Sequence, residues 1–291
     1  MTRFLDLRYS PVGGGVAGVV GSYQGTSIAD YAGLDQQRLL SDIRGRHVLI
    51  GTHGFNVNRA DGIEHLSNWE TLLQLSSPSV FIGVLWPGDS IWAQGLDYAE
   101  EPHVANETGE KLAAFLNITF TGAASISFAS HSLGARVVLQ TIAKLTLPVR
   151  RVILMAGAID DNCLSSEFRA LASKLKIEMI SVLASKQDKV LSMLFPLGNL
   201  LGGIIAEGHP WWHAALGHSG PSTPRAVNFQ PPFEIPSNWK FDHGDYLKSD
   251  PASPSISLPE DVPPDGTCEP GGGSDGWQEA FTAAFCSTRF R

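Results

Sequence analysis

Acyl transfer to a hydroxyl needs four groups in one place. These are an oxygen held on a tight turn, an imidazole to take its proton, a carboxylate to orient that imidazole, and N–H donors for the oxygen that becomes negative. The sequence offers a candidate for each. Ser132 stands in Ser130-His131-Ser132-Leu133-Gly134, between a short apolar run and an amphipathic stretch. That is the strand–turn–helix setting in which a strained turn lifts a serine hydroxyl above a sheet. The next backbone N–H, that of Leu133, faces the oxyanion, and Gly134 permits close approach of helix and strand. Ser130 occupies the first glycine position of such an elbow and reads as a packed small residue.

The second donor is expected in His53-Gly54-Phe55-Asn56, just after a strong apolar run. There Gly54 lets the backbone turn so that the Phe55 N–H points at the developing charge. For the acid, Asp188 follows a later apolar run in Ser185-Lys186-Gln187-Asp188, and Asp160 and Asp161 are rivals one run earlier. The alternative for Asp160 is a helix cap, since Asp is a good N-cap. For the base, His209, His213, His218 and His243 follow Asp188. His243 lies beyond the last expected strand, where a loop can carry an imidazole to Ser132.

These residues sit on a regular frame. Residues 47–51 (HVLIG), 80–85 (VFIGVL), 124–129 (ASISFA), 151–155 (RVILM), 178–183 (EMISVL) and 225–229 (RAVNF) read as strands. Continuous β-branched runs suit a parallel sheet covered on both faces. Amphipathic stretches at residues 63–75, 104–115, 135–145 and 166–175 read as helices between them. The alternation predicts an α/β fold with a doubly wound, mostly parallel sheet. Residues 1–45 are less regular and read as a lead-in with antiparallel edge strands near residues 3–9 and 16–23.

The order Ser132, Asp188, His243 and the surrounding motifs resemble the α/β-hydrolase superfamily, close to a branch of largely unassigned bacterial serine hydrolases. The resemblance covers roughly residues 45–250. It rests on His53-Gly54-Phe55-Asn56, Leu85-Trp86-Pro87-Gly88 with Tyr98 beyond, the elbow at residues 129–134, the acid loop at residues 185–191, and His243 followed by Tyr246. It implies an α/β-hydrolase fold, a Ser132–His243–Asp188 triad and hydrolysis of small-molecule carboxylic esters without cofactor or metal. Phe55 and Leu133 then form the oxyanion hole, and His53, Trp86, Trp211 and Trp212 face substrate. The apolar run 191–205 with the Trp211-Trp212 pair reads as the wall of an acyl pocket or a lid, against plain core or subunit contact. Lipase, thioesterase or amidase chemistry would use the same groups, and a binding-only pseudo-hydrolase is the alternative outside enzymes.

Other signals are set aside. Gly13, Gly15 and Gly18 satisfy G-x-G-x-x-G, but Val19-Val20-Gly21-Ser22 does not start the helix that a dinucleotide site needs. His209, His213 and His218 have no interleaved carboxylate and read as loop packing rather than metal ligands. A net charge of −8 over 291 residues argues against nucleic-acid binding. No run of about 18 apolar residues is present to span a membrane, and the glycine-diluted N-terminus lacks a signal-peptide pattern, which points to the cytoplasm. The cysteines Cys163, Cys268 and Cys286 are an odd number without a CxxC pair. Pairing of Cys268 with Cys286 stays open, and nothing in the pattern sets an oligomeric state. The expected organisation is one catalytic domain, residues 1–250, followed by a Pro/Gly/Ser-rich tail, residues 251–291, with a short amphipathic segment (WQEAFTAAF) near its end. Because every candidate group precedes that tail, truncation after Asp250 is expected to leave hydrolysis of a small nitrophenyl ester largely intact. A folded truncation without activity would place the tail in the site.

Overall fold

The computed structural model describes residues 1–73, 75, 77–89, 101–172, 177–193, 195, 213–222, 233–235, 237 and 240–247. Among these residues, one sheet runs in the order β3-β2-β1-β5-β4-β6-β7-β8-β9. Its strands are β1 (Thr2–Arg8), β2 (Val16–Gly25), β3 (Ala32–Gly33), β4 (His47–Thr52), β5 (Ser79–Leu85), β6 (Ser125–His131), β7 (Val149–Met155), β8 (Ile177–Ala184) and β9 (Phe233–Glu234). From β1 through β9 every neighbouring pair is parallel, while β2 is antiparallel to β1 and to β3.

The helices are α1 (Gln36–Ile43), α2 (Arg59–Leu73), α3 (Glu101–Thr119), α4 (Gly134–Lys144) and the short α5 (Arg169–Ala172) and α6 (Leu216–Ser219). They lie on both faces of the sheet, and the strands alternate between two cores accordingly. Val48 and Ile50 pack with α1, α3 and α4, whereas Leu49 packs with Ile63, Leu66 and Trp69 of α2. Both faces are apolar because both are covered. Among the described residues, no helix is long and apolar enough to cross a membrane.

The expected strands from residue 47 to 183 all form, within a few residues of their expected ends. The expected strand at 225–229 lies outside the described residues. The N-terminal segment departs from expectation. Residues 3–9 do not form an edge strand; β1 is internal and parallel to β5, with Phe4 in one core and Leu5 and Leu7 in the other. Alternating apolar residues cannot distinguish an edge strand from an interior one when the neighbour is distant in sequence. Helix α1 was also unexpected, although its signal is local: Asp35 accepts hydrogen bonds from the Gln37 and Arg38 N–H groups as an N-cap. The segment from Gly13 to Gly15 leads into antiparallel β2 rather than into a helix.

β1 also delivers a buried cation to the edge where the parallel strands end. The Arg8 side chain is shielded from solvent and ion-paired with Asp89. It donates to the Trp86 carbonyl (2.7 Å), the Val57 carbonyl (3.0 Å) and the Ser10 carbonyl (3.3 Å). The other Asp89 oxygen accepts the Gly13 N–H at 3.0 Å. Removing one partner of a buried ion pair leaves the other desolvated and unpaired, which costs about 3–5 kcal/mol. Arg8→Met is therefore expected to destabilise the chain by about that amount in urea unfolding. A midpoint within experimental error of the parent would show that the pair contributes nothing to stability.

Candidate active site

The strand order reverses around β4, which lies between β5 and β6. α2 leaves β4 toward one side, and the connection carrying α3 returns from β5 to the other side. Such a switch point opens a crevice beyond the carboxyl ends of the strands. The loops after β4 and β6 meet there.

β6 ends at His131, and Ser132 follows with φ of +54°, a left-handed conformation rare for a residue with a side chain. The surroundings hold this strained turn in place. The Ser132 N–H donates to the Met155 carbonyl at the end of β7 (3.0 Å), and its carbonyl accepts from Ala135 (3.1 Å). Leu133 is the cap residue of α4, so its N–H belongs to a helix start whose N–H groups have no acceptor within the helix. Gly134 has no room for a side chain, since a Cβ would lie 2.5 Å from the His53 carbonyl oxygen. Ser130 is fully buried, and its hydroxyl reaches no hydrogen-bond partner among the described residues. It fills the small-residue position below the turn.

The loop after β4 crosses directly over the serine. A Cβ on Gly54 would come within 2.8 Å of Ser132 Cβ. Gly54 is needed here for that close approach, whereas the positive φ in this loop belongs to Asn56 at 57°. The Asn56 N–H donates to the Gly88 carbonyl (2.6 Å), tying the loop to the chain beyond β5.

His53 and Trp86, expected to face substrate, are instead buried inside this assembly and stacked, with ring centroids 5.7 Å apart. The Trp86 indole N–H donates to the His53 carbonyl (2.8 Å), and its backbone N–H donates to His53 Nε2 (3.3 Å). His53 Nδ1 lies 2.9 Å from the Gly54 carbonyl, an oxygen that can only accept, so Nδ1 carries the proton. Burial pushes the His53 pKa down to about 3, which keeps that single neutral tautomer. Both side chains are enclosed, and their polar atoms are spent on shaping the loop that carries Phe55. The sequence could not separate a ring beneath the loop from one above it. Trp211, Trp212 and Tyr98 lie outside the described residues.

Asp188 and His243 arrive from the far side of the elbow. Asp188 is completely buried after β8, and a helical segment begins at Lys189. Asp188 Oδ1 accepts the Leu191 N–H (2.9 Å) as a helix cap, and Oδ2 lies 2.8 Å from His243 Nδ1. A carboxylate acceptor places the proton on Nδ1 and leaves the Nε2 lone pair facing Ser132 Oγ at 2.9 Å. The segment carrying His243 is fastened to the acid loop twice more. Ser185 Oγ donates to the Phe241 carbonyl (2.6 Å), and the Lys189 N–H donates to Asp242 Oδ1 (3.1 Å).

Asp160 lies elsewhere. It forms an isolated bridge with Ala215, and its carbonyl accepts from Cys163 N–H. Residues 161–168 are turns, so Asp160 caps no helix directly. His213 joins Asp161 (3.0 Å) and Asn162 (2.9 Å), which fastens residues 213–222 to the loop after β7. His218 is half-buried, with Nδ1 3.1 Å from the hydroxyl of exposed Ser219. His131 and Tyr246 stand in the quoted elbow and base motifs, but the sequence assigns neither a role here. Both are buried, with His131 and His243 ring centroids 4.8 Å apart and His131 and Tyr246 5.9 Å apart.

A doubly wound sheet with a strained serine elbow at its switch point defines an α/β-hydrolase arrangement. Residues 34–249 match the family described as "Alpha/beta hydrolase of unknown function (DUF900)", and the chain belongs to that family. The match begins at residue 34, so β1, β2 and Arg8 precede it. No curated protein matches the chain. Among solved structures, esterase PE8 is similar at 19% identity with a TM-score of 0.35, over 53% of this chain and 80% of that one. Dipeptidyl peptidase 4 of Porphyromonas gingivalis is similar at 12% identity with a TM-score of 0.33. That likeness covers 63% of this chain and 30% of the peptidase, so the chain spans under a third of that protein's length.

The packing around Gly134 is open to a direct check. A methyl group there meets backbone oxygens that cannot rotate away, at 2.5 Å and 3.0 Å. Overpacking of this kind costs about 1–3 kcal/mol. Gly134→Ala is expected to lower the urea midpoint accordingly, while Gly33→Ala, whose Cβ meets nothing within 4 Å and whose φ is not left-handed, serves as the unhindered control. Equal losses in the two variants would argue against the close approach.

Proposed function

We propose that the chain is a serine carboxylic-ester hydrolase acting through an acyl-enzyme, with Ser132 as nucleophile, His243 as general base and Asp188 as orienting acid. One observation carries the reading. Asp188 Oδ2, the His243 imidazole and Ser132 Oγ form an unbroken chain of hydrogen bonds at 2.8 Å and 2.9 Å. Its directions are consistent with one neutral tautomer of His243. A site that only bound ligand would have no use for an oriented base against a strained serine.

In this mechanism His243 Nε2 takes the Ser132 proton as Oγ bonds to the ester carbonyl carbon. The carbonyl electron pair moves onto oxygen, where the Phe55 and Leu133 N–H groups stabilise it. The tetrahedral adduct collapses, and the leaving alkoxide takes the proton from His243. Water then gives its proton to His243 and attacks the acyl carbon, and Ser132 leaves with that proton. Asp188 stays ionised throughout, holding the imidazole and stabilising its cation. We assign residues 1–250 to this catalytic unit, because β1 and β2 belong to the same sheet as the strands that carry the site.

Ser132→Ala is expected to lower kcat on nitrophenyl esters by about 10⁶ and to abolish labelling by a fluorophosphonate. Asp188→Asn should lower kcat by about 10⁴ with folding preserved, since Asn caps a helix about as well as Asp. Asp160→Asn should keep its activity. Labelling that persists in Ser132→Ala, or activity lost in Asp160→Asn but kept in Asp188→Asn, would reverse these assignments.

A further inference from the structure

Every polar partner of the base so far named comes from the acid loop or is the nucleophile itself. One contact is different. His131, the last residue of β6 and the immediate neighbour of Ser132, places Nε2 2.7 Å from the backbone carbonyl of His243. We propose that His131 is a positioning residue for the base: by donating Nε2–H to the His243 carbonyl, it ties the base-bearing segment to the nucleophile elbow. This inference rests on the serine-hydrolase reading above.

The chemistry of the contact is one-directional. A carbonyl oxygen only accepts, so His131 must hold its proton on Nε2. The donor stands at the end of an interior strand, whose neighbours β4 and β7 hold it from both sides. The acceptor sits on a loop. The bonds from Ser185 and Lys189 set that loop against the acid. His131 sets it against the serine turn, so both ends of the proton path are referenced to rigid elements.

The histidine does this without bringing a charge. Its ring is 4.8 Å from that of His243, and a second cation there would oppose the imidazolium that forms during acyl transfer. The titratable groups facing it are His243 and Tyr246 from the base segment, His53 from the loop after β4 and His65 from α2. Burial, followed by the proximity of His243, moves the His131 pKa down to about 3, so the ring stays neutral through the range in which a serine hydrolase works. A lysine or arginine would supply the donor but also the charge. A hydroxyl is too short to reach the carbonyl from the end of β6.

The test compares three variants of the full chain. His131→Gln keeps an amide N–H at about the reach of Nε2, His131→Asn carries one that falls short, and His131→Leu has none. Displacing the base by a fraction of an ångström to an ångström costs up to about a hundred-fold. Asn and Leu are therefore expected to lower kcat on a nitrophenyl ester by about ten- to a hundred-fold with KM little changed, while Gln retains most of the parent kcat. Fluorophosphonate labelling of Ser132 should slow in Asn and Leu yet reach the parent stoichiometry. If the Leu variant does not fold, the comparison of Gln with Asn decides. Parent-like kcat in Asn would overturn the proposal, as would a loss in Gln equal to that in Asn. A parent protein whose Ser132 takes no label at all would instead remove the serine-hydrolase reading, and this inference with it.

Discussion

The carboxylate of Asp188 is asked to do two jobs at once, and the site is arranged around that demand. Oδ1 caps the helical segment that starts at Lys189, and Oδ2 receives Nδ1–H of His243. The first contact fixes the Asp188 carboxylate and the second fixes the tautomer of His243. Without the Oδ2 contact the His243 ring would lose the partner that turns its Nε2 toward Ser132. Folding and proton placement therefore share the same atoms.

Ser132 is constrained from the other direction. Ser132 occupies a left-handed backbone conformation with Gly54 pressed against its Cβ and Gly134 pressed against the His53 carbonyl. Any side chain at either glycine would separate the loop after β4 from the elbow. The histidines at this junction show how burial decides role. His53 and His131 are enclosed, with pKa values lowered to about 3, and each is a neutral strut with a defined tautomer. His243 retains a side-chain exposure of 16% and reaches the serine.

Outside the matched family region, β1 carries Arg8 beneath the same junction. Its guanidinium bonds to carbonyls on both the 53–57 loop and the 86–89 loop and neutralises Asp89. The isolated cost of burying this pair is high, and it is offset by filling the donors and acceptors that two converging loops leave behind. The N-terminal segment is thereby part of the scaffold of the site rather than a lead-in to it.

Local patterns in the sequence determined much of this protein. Continuous β-branched runs such as HVLIG and RVILM specify strands buried on both faces, because residues of alternating parity must each meet an apolar core. The strand–turn–helix context points to Ser132, since such a turn strains the residue at the carboxyl end of a strand. Chain order narrowed the base to the histidines after the acid. What the sequence left open turned on neighbours far apart in the chain. Whether β1 was edge or interior depended on pairing with β5, some 80 residues away. Which of Asp188 and Asp160 meets His243 depended on where the loop near residue 243 packs, and it packs against Asp188. His53 and Trp86 became buried supports rather than substrate contacts because each found the other across 33 residues. These outcomes follow from tertiary packing, because a side chain's type states which bonds it can make and only the folded chain decides which partner is within reach.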